Sequence, residues 1–147
     1  MSAIPVESGG YSGRSDGQIR SALVYDTTLN TAQTAATYSG TCYKWWKNPL
    51  GAEIMRVTLK KSWSYNGTTQ VNPSARFYGT AGFPYVFDGI VNSQDYYSTA
   101  YENAHGKHTS YRQGKFTDNL TGIQVNASVT FVSKLGGNYA CSFGGGI

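Results

Sequence analysis

From Met55 to Tyr65 the chain alternates in steps of two. Met55, Val57, Leu59, Trp63 and Tyr65 share one parity, and Arg56, Thr58, Lys60, Ser62 and Ser64 share the other. An extended strand with one face in a core and one in water suits both sets, because successive strand side chains point to opposite faces. Ile123, Val125, Ala127, Val129 and Phe131 repeat the pattern against Gln124, Asn126, Ser128 and Thr130. Lys61 interrupts the apolar parity of the first segment, which predicts a bulge or a strand end there.

The rest of the chain fits the same class. Eighteen glycines, 12 tyrosines and only 14% charged residues disfavour a helical bundle, and the high aromatic content disfavours disorder. No stretch reaches the roughly 20 apolar residues of a membrane span. Further strands are expected at Tyr38–Lys47, Thr68–Val71, Ala75–Tyr78, Phe83–Val91, Thr109–Phe116 and Tyr139–Phe143. Asn48-Pro49-Leu50-Gly51, Asn66-Gly67 and Asn72-Pro73-Ser74 supply turns between them. Ile19–Thr37 and Tyr96–Ala104 fit either helix or strand. Residues 1–18, with four glycines and no periodicity, read as a flexible N-terminal arm. The expectation is an all-β, single-domain antiparallel β-sandwich or small barrel of seven or eight strands over residues 19–147, with no internal repeat.

The formal net charge is +4, and its distribution is uneven. Lys44, Lys47, Arg56, Lys60 and Lys61 cluster against Glu53 alone, while the remaining acids and bases cancel. Tyr43, Trp45 and Trp46 interleave with the first two of these cations. Trp45 and Trp46 must face opposite sides of a strand, so one is available to stack on a flat or sugar-like ligand. We expect the ligand-binding set to be Tyr43, Lys44, Trp46, Lys47, Arg56, Lys60 and Lys61, with Arg112 and Lys115 as an opposite wall. Such a set suits an anionic small molecule or glycan. Nucleic acid is disfavoured by the modest charge and the lack of any RNA-binding signature.

Other constellations are thinner. Glu102, His105 and His108 have side chains able to hold a transition metal if a tight loop gathers them. Asp88 and Asp95 read as turn residues rather than an acid–base pair, and Gly-x-Ser-x-Gly does not occur. Cys42 and Cys141 are the only cysteines, and the polar, weakly charged surroundings argue for export, so a disulfide between them is expected. Residues 1–18 contain no basic stretch followed by an apolar run, so a secreted form is expected to have lost its signal peptide. A monomer is expected.

Lys60-Lys61-Ser62-Trp63-Ser64-Tyr65-Asn66-Gly67 and Gly136-Gly137-Asn138-Tyr139-Ala140-Cys141, with the small size and basic charge, resemble the RoxP-type antioxidant proteins secreted by actinobacteria. That resemblance implies an extracellular protein that limits radical damage through a bound cofactor such as haem in a positively charged groove. The leading expectation is a secreted cationic, aromatic-rich binding protein for an anionic flat ligand, either porphyrin- or haem-like or an acidic glycan. The alternatives are an antioxidant oxidoreductase using a bound cofactor or metal, and a cell-envelope toxin or adhesin.

Overall fold

The alternating segments become neighbouring strands of two antiparallel sheets in the computed structural model, which describes residues 7–11, 20–26, 31–65, 70–98, 106–134 and 137–147. Sheet A holds β1 (Glu7–Tyr11), β2 (Arg20–Asp26), β3 (Thr31–Lys47), β4 (Glu53–Tyr65) and β5 (Gln70–Ala81). Sheet B runs in order β6 (Tyr85–Tyr97), β7 (His108–Asp118), β8 (Gln124–Ser133) and β9 (Tyr139–Gly145). From β3 to β9 every strand follows its predecessor as an antiparallel meander, with β5 passing to β6 across the sandwich. The fold is all-β, as expected, with nine strands among the described residues.

The two additional strands come from the ambiguous N-terminal region. Residues 7–11 are not arm but strand, pairing Glu7 with Lys47 through to Tyr11 with Tyr43. β2 pairs along Thr31–Thr37 of the same β3 edge. That edge otherwise presents unpaired amides and carbonyls, which strand addition satisfies. The expected Asn66-Gly67 turn lies outside the described residues.

Asn48 shapes the β3–β4 turn by accepting hydrogen bonds from the Leu50 and Ala52 amides at 3.0 and 2.9 Å. Asn72-Pro73-Ser74, in contrast, is not a turn. It lies inside β5, where the register with β4 shifts between Ser62↔Ser74 and Ser64↔Val71 and Asn72 adopts φ +52°. Pro73 has no N–H for a ladder, and the bulge absorbs it without ending the strand.

The core lies between the sheets. Met55, Val57, Leu59 and Trp63 of β4 are buried together with Phe116 of β7 and Ala127, Val129 and Phe131 of β8. Lys61 produces neither bulge nor strand end: β4 continues through it, pairing it with Gly40 and Ala75, and its side chain is buried.

β9 closes the sandwich against β3. The expected disulfide joins Cys42 to Cys141, with Cα atoms 5.7 Å apart. Beside it the Tyr139 hydroxyl donates to the Thr41 carbonyl and accepts from the Thr41 amide, both at 3.4 Å. Gly40 permits this approach, since a Cβ there would sit 2.6 Å from the Tyr139 ring. The disulfide spans 99 residues of chain, so replacing both cysteines by alanine is expected to lower unfolding stability by about 4 kcal/mol. Urea denaturation of the double variant against the oxidised protein measures this; an unchanged midpoint would contradict the closure described.

Candidate functional site

Strand parity and register assemble one surface from three strands. With Cys42 and Trp46 of β3 turned inward, Ser39, Thr41, Tyr43, Trp45 and Lys47 point outward. The ladders then set Trp45 beside Arg56 and Thr80, Tyr43 beside Thr58 and Tyr78, Thr41 beside Lys60 and Arg76, and Ser39 beside Ser62 and Ser74. The outer face of sheet A is therefore ruled in rows, aromatic toward one end and hydroxyl-bearing toward the other.

Cations lie over the aromatic rings of this face. Lys47 is 4.5 Å from the Trp45 ring, the Arg56 guanidinium 5.1 Å from Tyr43 and Lys60 5.8 Å from Tyr78. Such contacts hold flexible side chains on the surface and keep the rings upright. Arg56 is also paired with Glu53 at 2.7 Å. A groove of about 440 Å³ opens at the hydroxyl-bearing end, lined by Ser39, Gly40, Thr41, Tyr43, Lys60, Lys61, Ser62, Ser74, Arg76 and Tyr139. Two exposed cations, four serine and threonine side chains, two tyrosines, Gly40 and the buried Lys61 form that lining, with no carboxylate. The arrangement neutralises an anionic group and hydrogen-bonds a hydroxylated one.

Four of the residues expected at a ligand surface lie here: Tyr43, Lys47, Arg56 and Lys60. Trp46 does not. It is buried at 2% exposure, and Trp45 is the tryptophan that faces outward. Lys44 has the inward parity, and its ammonium lies 5.1 Å from the Trp46 ring. Arg112 belongs to the inner face of sheet B, ion-paired with Asp95 at 2.9 Å, and forms no wall of the groove. Lys115, between inward Gly114 and Phe116, projects from the outer face of sheet B on the far side of the sandwich. Arg76, Tyr78 and Trp45 were not foreseen. Alternation of Arg76, Tyr78 and Thr80 along β5 was the available signal, hidden by the short segment assigned after Pro73.

Lys61 is the largest departure. Its ammonium is 2.8 Å from His108 Nδ1, donates to the His108 carbonyl at 2.9 Å, and lies 5.4 Å from the Phe131 ring. Around this pair Gln70 donates to the Gly106 and Ser133 carbonyls, Ser133 donates to Gln70 Oε1, and Tyr97 packs edge-on against His108. His108 is thus occupied by Lys61 through Nδ1. Glu102 and His105, the other two expected metal ligands, lie outside the described residues. Asp88 accepts a hydrogen bond from Thr117, whereas Asp95 pairs with Arg112, so the two carboxylates serve separate partners.

Burial lowers the Lys61 pKa to about 7, with Asp95 opposing and Arg112 reinforcing the shift. Burial, then the charge of Lys61, lowers His108 to about 4. At neutral pH the imidazole is therefore uncharged and Nδ1 accepts from Lys61.

Comparison with protein-family models, characterised proteins and solved structures returns no match.

The pKa shifts predict a pH dependence of stability. Unfolded, Lys61 and His108 take up protons near 10.5 and 6.5; folded, they resist until about 7 and about 4. The unfolded chain binds more protons in both windows, so stability rises with pH from about 4 to 6.5 through His108 and from about 7 to 10.5 through Lys61. Lys61→Met is expected to flatten the upper rise, measured as urea midpoints across that window. An identical upper slope in wild type and variant would contradict the buried ammonium.

Proposed function

We propose that this protein is an extracellular binding protein whose outer sheet-A face takes an anionic ligand built from rings and hydroxyl groups, an acidic glycan. The groove lined by Lys60 and Arg76 is the observation that carries the reading: it combines two exposed cations with Ser39, Thr41, Ser62 and Ser74 and has no carboxylate in its lining. Sulfate or carboxylate groups of a sugar acid would seat against Lys60 and Arg76, sugar hydroxyls would meet the serine and threonine hydroxyls, and Tyr43 would offer a ring face. The Cys42–Cys141 disulfide supports an oxidising compartment. Four serine and threonine side chains and no aliphatic side chain line the groove, which suits a hydroxylated ligand such as a glycan.

Calorimetric titration with sulfated and uronic-acid oligosaccharides, a neutral oligosaccharide and haem tests the reading. Acidic oligosaccharides are expected to bind, with affinity falling as salt rises. Lys60→Ala and Arg76→Ala are each expected to weaken binding about tenfold, the loss of one charge-assisted contact. Lys115→Ala on the opposite sheet leaves it unchanged. Equal binding by all variants would remove the assignment, and binding of haem without the acidic sugars would replace the glycan with a porphyrin.

A further inference from the structure

We propose that the outer face of sheet A is matched to a glycan chain carrying one acidic unit flanked by neutral sugars, and that Glu53 excludes chains charged along their whole length. The inference rests on the glycan reading of the groove and adds the charge pattern of its ligand.

Successive rows on this face stand two residues apart along each strand, about 7 Å. Thr41, Lys60 and Arg76 form one row, and Tyr43, Thr58 and Tyr78 the next. Trp45, Arg56 and Thr80 follow. Last comes Lys47, whose ladder partners are Glu53 on β4 and Glu7 on β1.

The four cations in these rows are not equivalent. Arg56 is committed to Glu53: its Nε and Nη2 both donate to Glu53 Oε1, at 2.9 and 2.7 Å. Lys47 and Arg56 are thus matched in number by Glu53 and by Glu7, the β1 residue paired with Lys47. Lys60 lies four residues from Arg56, about 14 Å along β4. The groove that it lines with Arg76 has no carboxylate in its lining. The net positive charge of the face is therefore concentrated in a single row, and one acidic unit seated there meets both cations.

A second acidic unit two rows further on would meet a guanidinium whose charge is already taken and a carboxylate that repels it. Between the two positions stand Tyr43 and Tyr78, the latter 42% exposed. Aromatic rings accept the apolar C–H face of a neutral sugar, and their electron-rich faces disfavour an anion. On the other side of Lys60 the row of Ser39, Ser62 and Ser74 offers hydroxyl groups and no charge. The face thus reads neutral, acidic, neutral along the strands.

Calorimetry with a tetrasaccharide bearing one internal uronic acid among neutral sugars, a tetrasaccharide of uronic acids throughout and a free uronic acid tests this. Wild type is expected to bind the singly charged tetrasaccharide about tenfold more tightly than either of the others. Glu53→Gln keeps the shape of the side chain and releases Arg56. It is expected to raise affinity for the fully charged chain about tenfold and leave the singly charged chain unchanged. Tyr78→Ser is expected to remove the advantage of the singly charged chain over the free acid. Circular dichroism checks the fold of both variants, and the wild-type comparison stands without them. Tighter binding of the fully charged chain by wild type, or no gain in folded Glu53→Gln, would overturn the inference while leaving the groove a site for acidic glycans. Equal affinity of wild type for the singly charged chain and the free acid would overturn it as well. Binding of no acidic sugar would remove the groove reading and this inference together.

Discussion

The two-residue period of β4 is the constraint on which the rest of the structure depends. One parity of this strand packs against β8 and fills the core; the other lies at the centre of the outer face, flanked by β3 and β5. Register then leaves little freedom. Once Leu59 faces inward, its partners Cys42 and Phe77 must do so too, and Tyr43, Lys60, Arg76 and Tyr78 are carried outward. A slip of one residue on β4 would place Arg56 and Lys60 in the core and Val57 and Leu59 in water.

The same period explains why Lys61 stays inside. Moving it outward requires either a bulge, which would turn Trp63 away from its contacts with Phe131 and Tyr139, or the loss of the strand. Burial of an amine is the smaller penalty, because His108 supplies both an imidazole nitrogen and a carbonyl as acceptors and the amine sheds its proton near neutrality. The polar cluster beside it, with Gln70 and Ser133, satisfies hydrogen-bonding groups that would otherwise be orphaned between the sheets.

Much of this is legible in the sequence. The alternations at Met55–Tyr65 and Ile123–Phe131 gave two strands that share the core, and the cysteine pair gave the closure of β3 on β9. Three things were not legible. Which of Trp45 and Trp46 faces outward depends on the register of β3 against β4, information that lies in the partner strand. Asn72-Pro73 reads locally as a turn, and only the continued pairing of β4 with β5 turns it into a bulge. Lys61 reads as a surface charge because its acceptor, His108, lies 47 residues further along the chain. In each case the deciding partner is distant in sequence, which a local pattern does not contain.

The ruled outer face of sheet A exists only if Trp45 rather than Trp46 points to solvent. Fluorescence quenching by acrylamide of wild type, Trp45→Phe and Trp46→Phe tests that parity most directly. The account predicts one readily quenched tryptophan, lost in Trp45→Phe and retained in Trp46→Phe. Loss of the quenchable signal in Trp46→Phe, with its retention in Trp45→Phe, would contradict it.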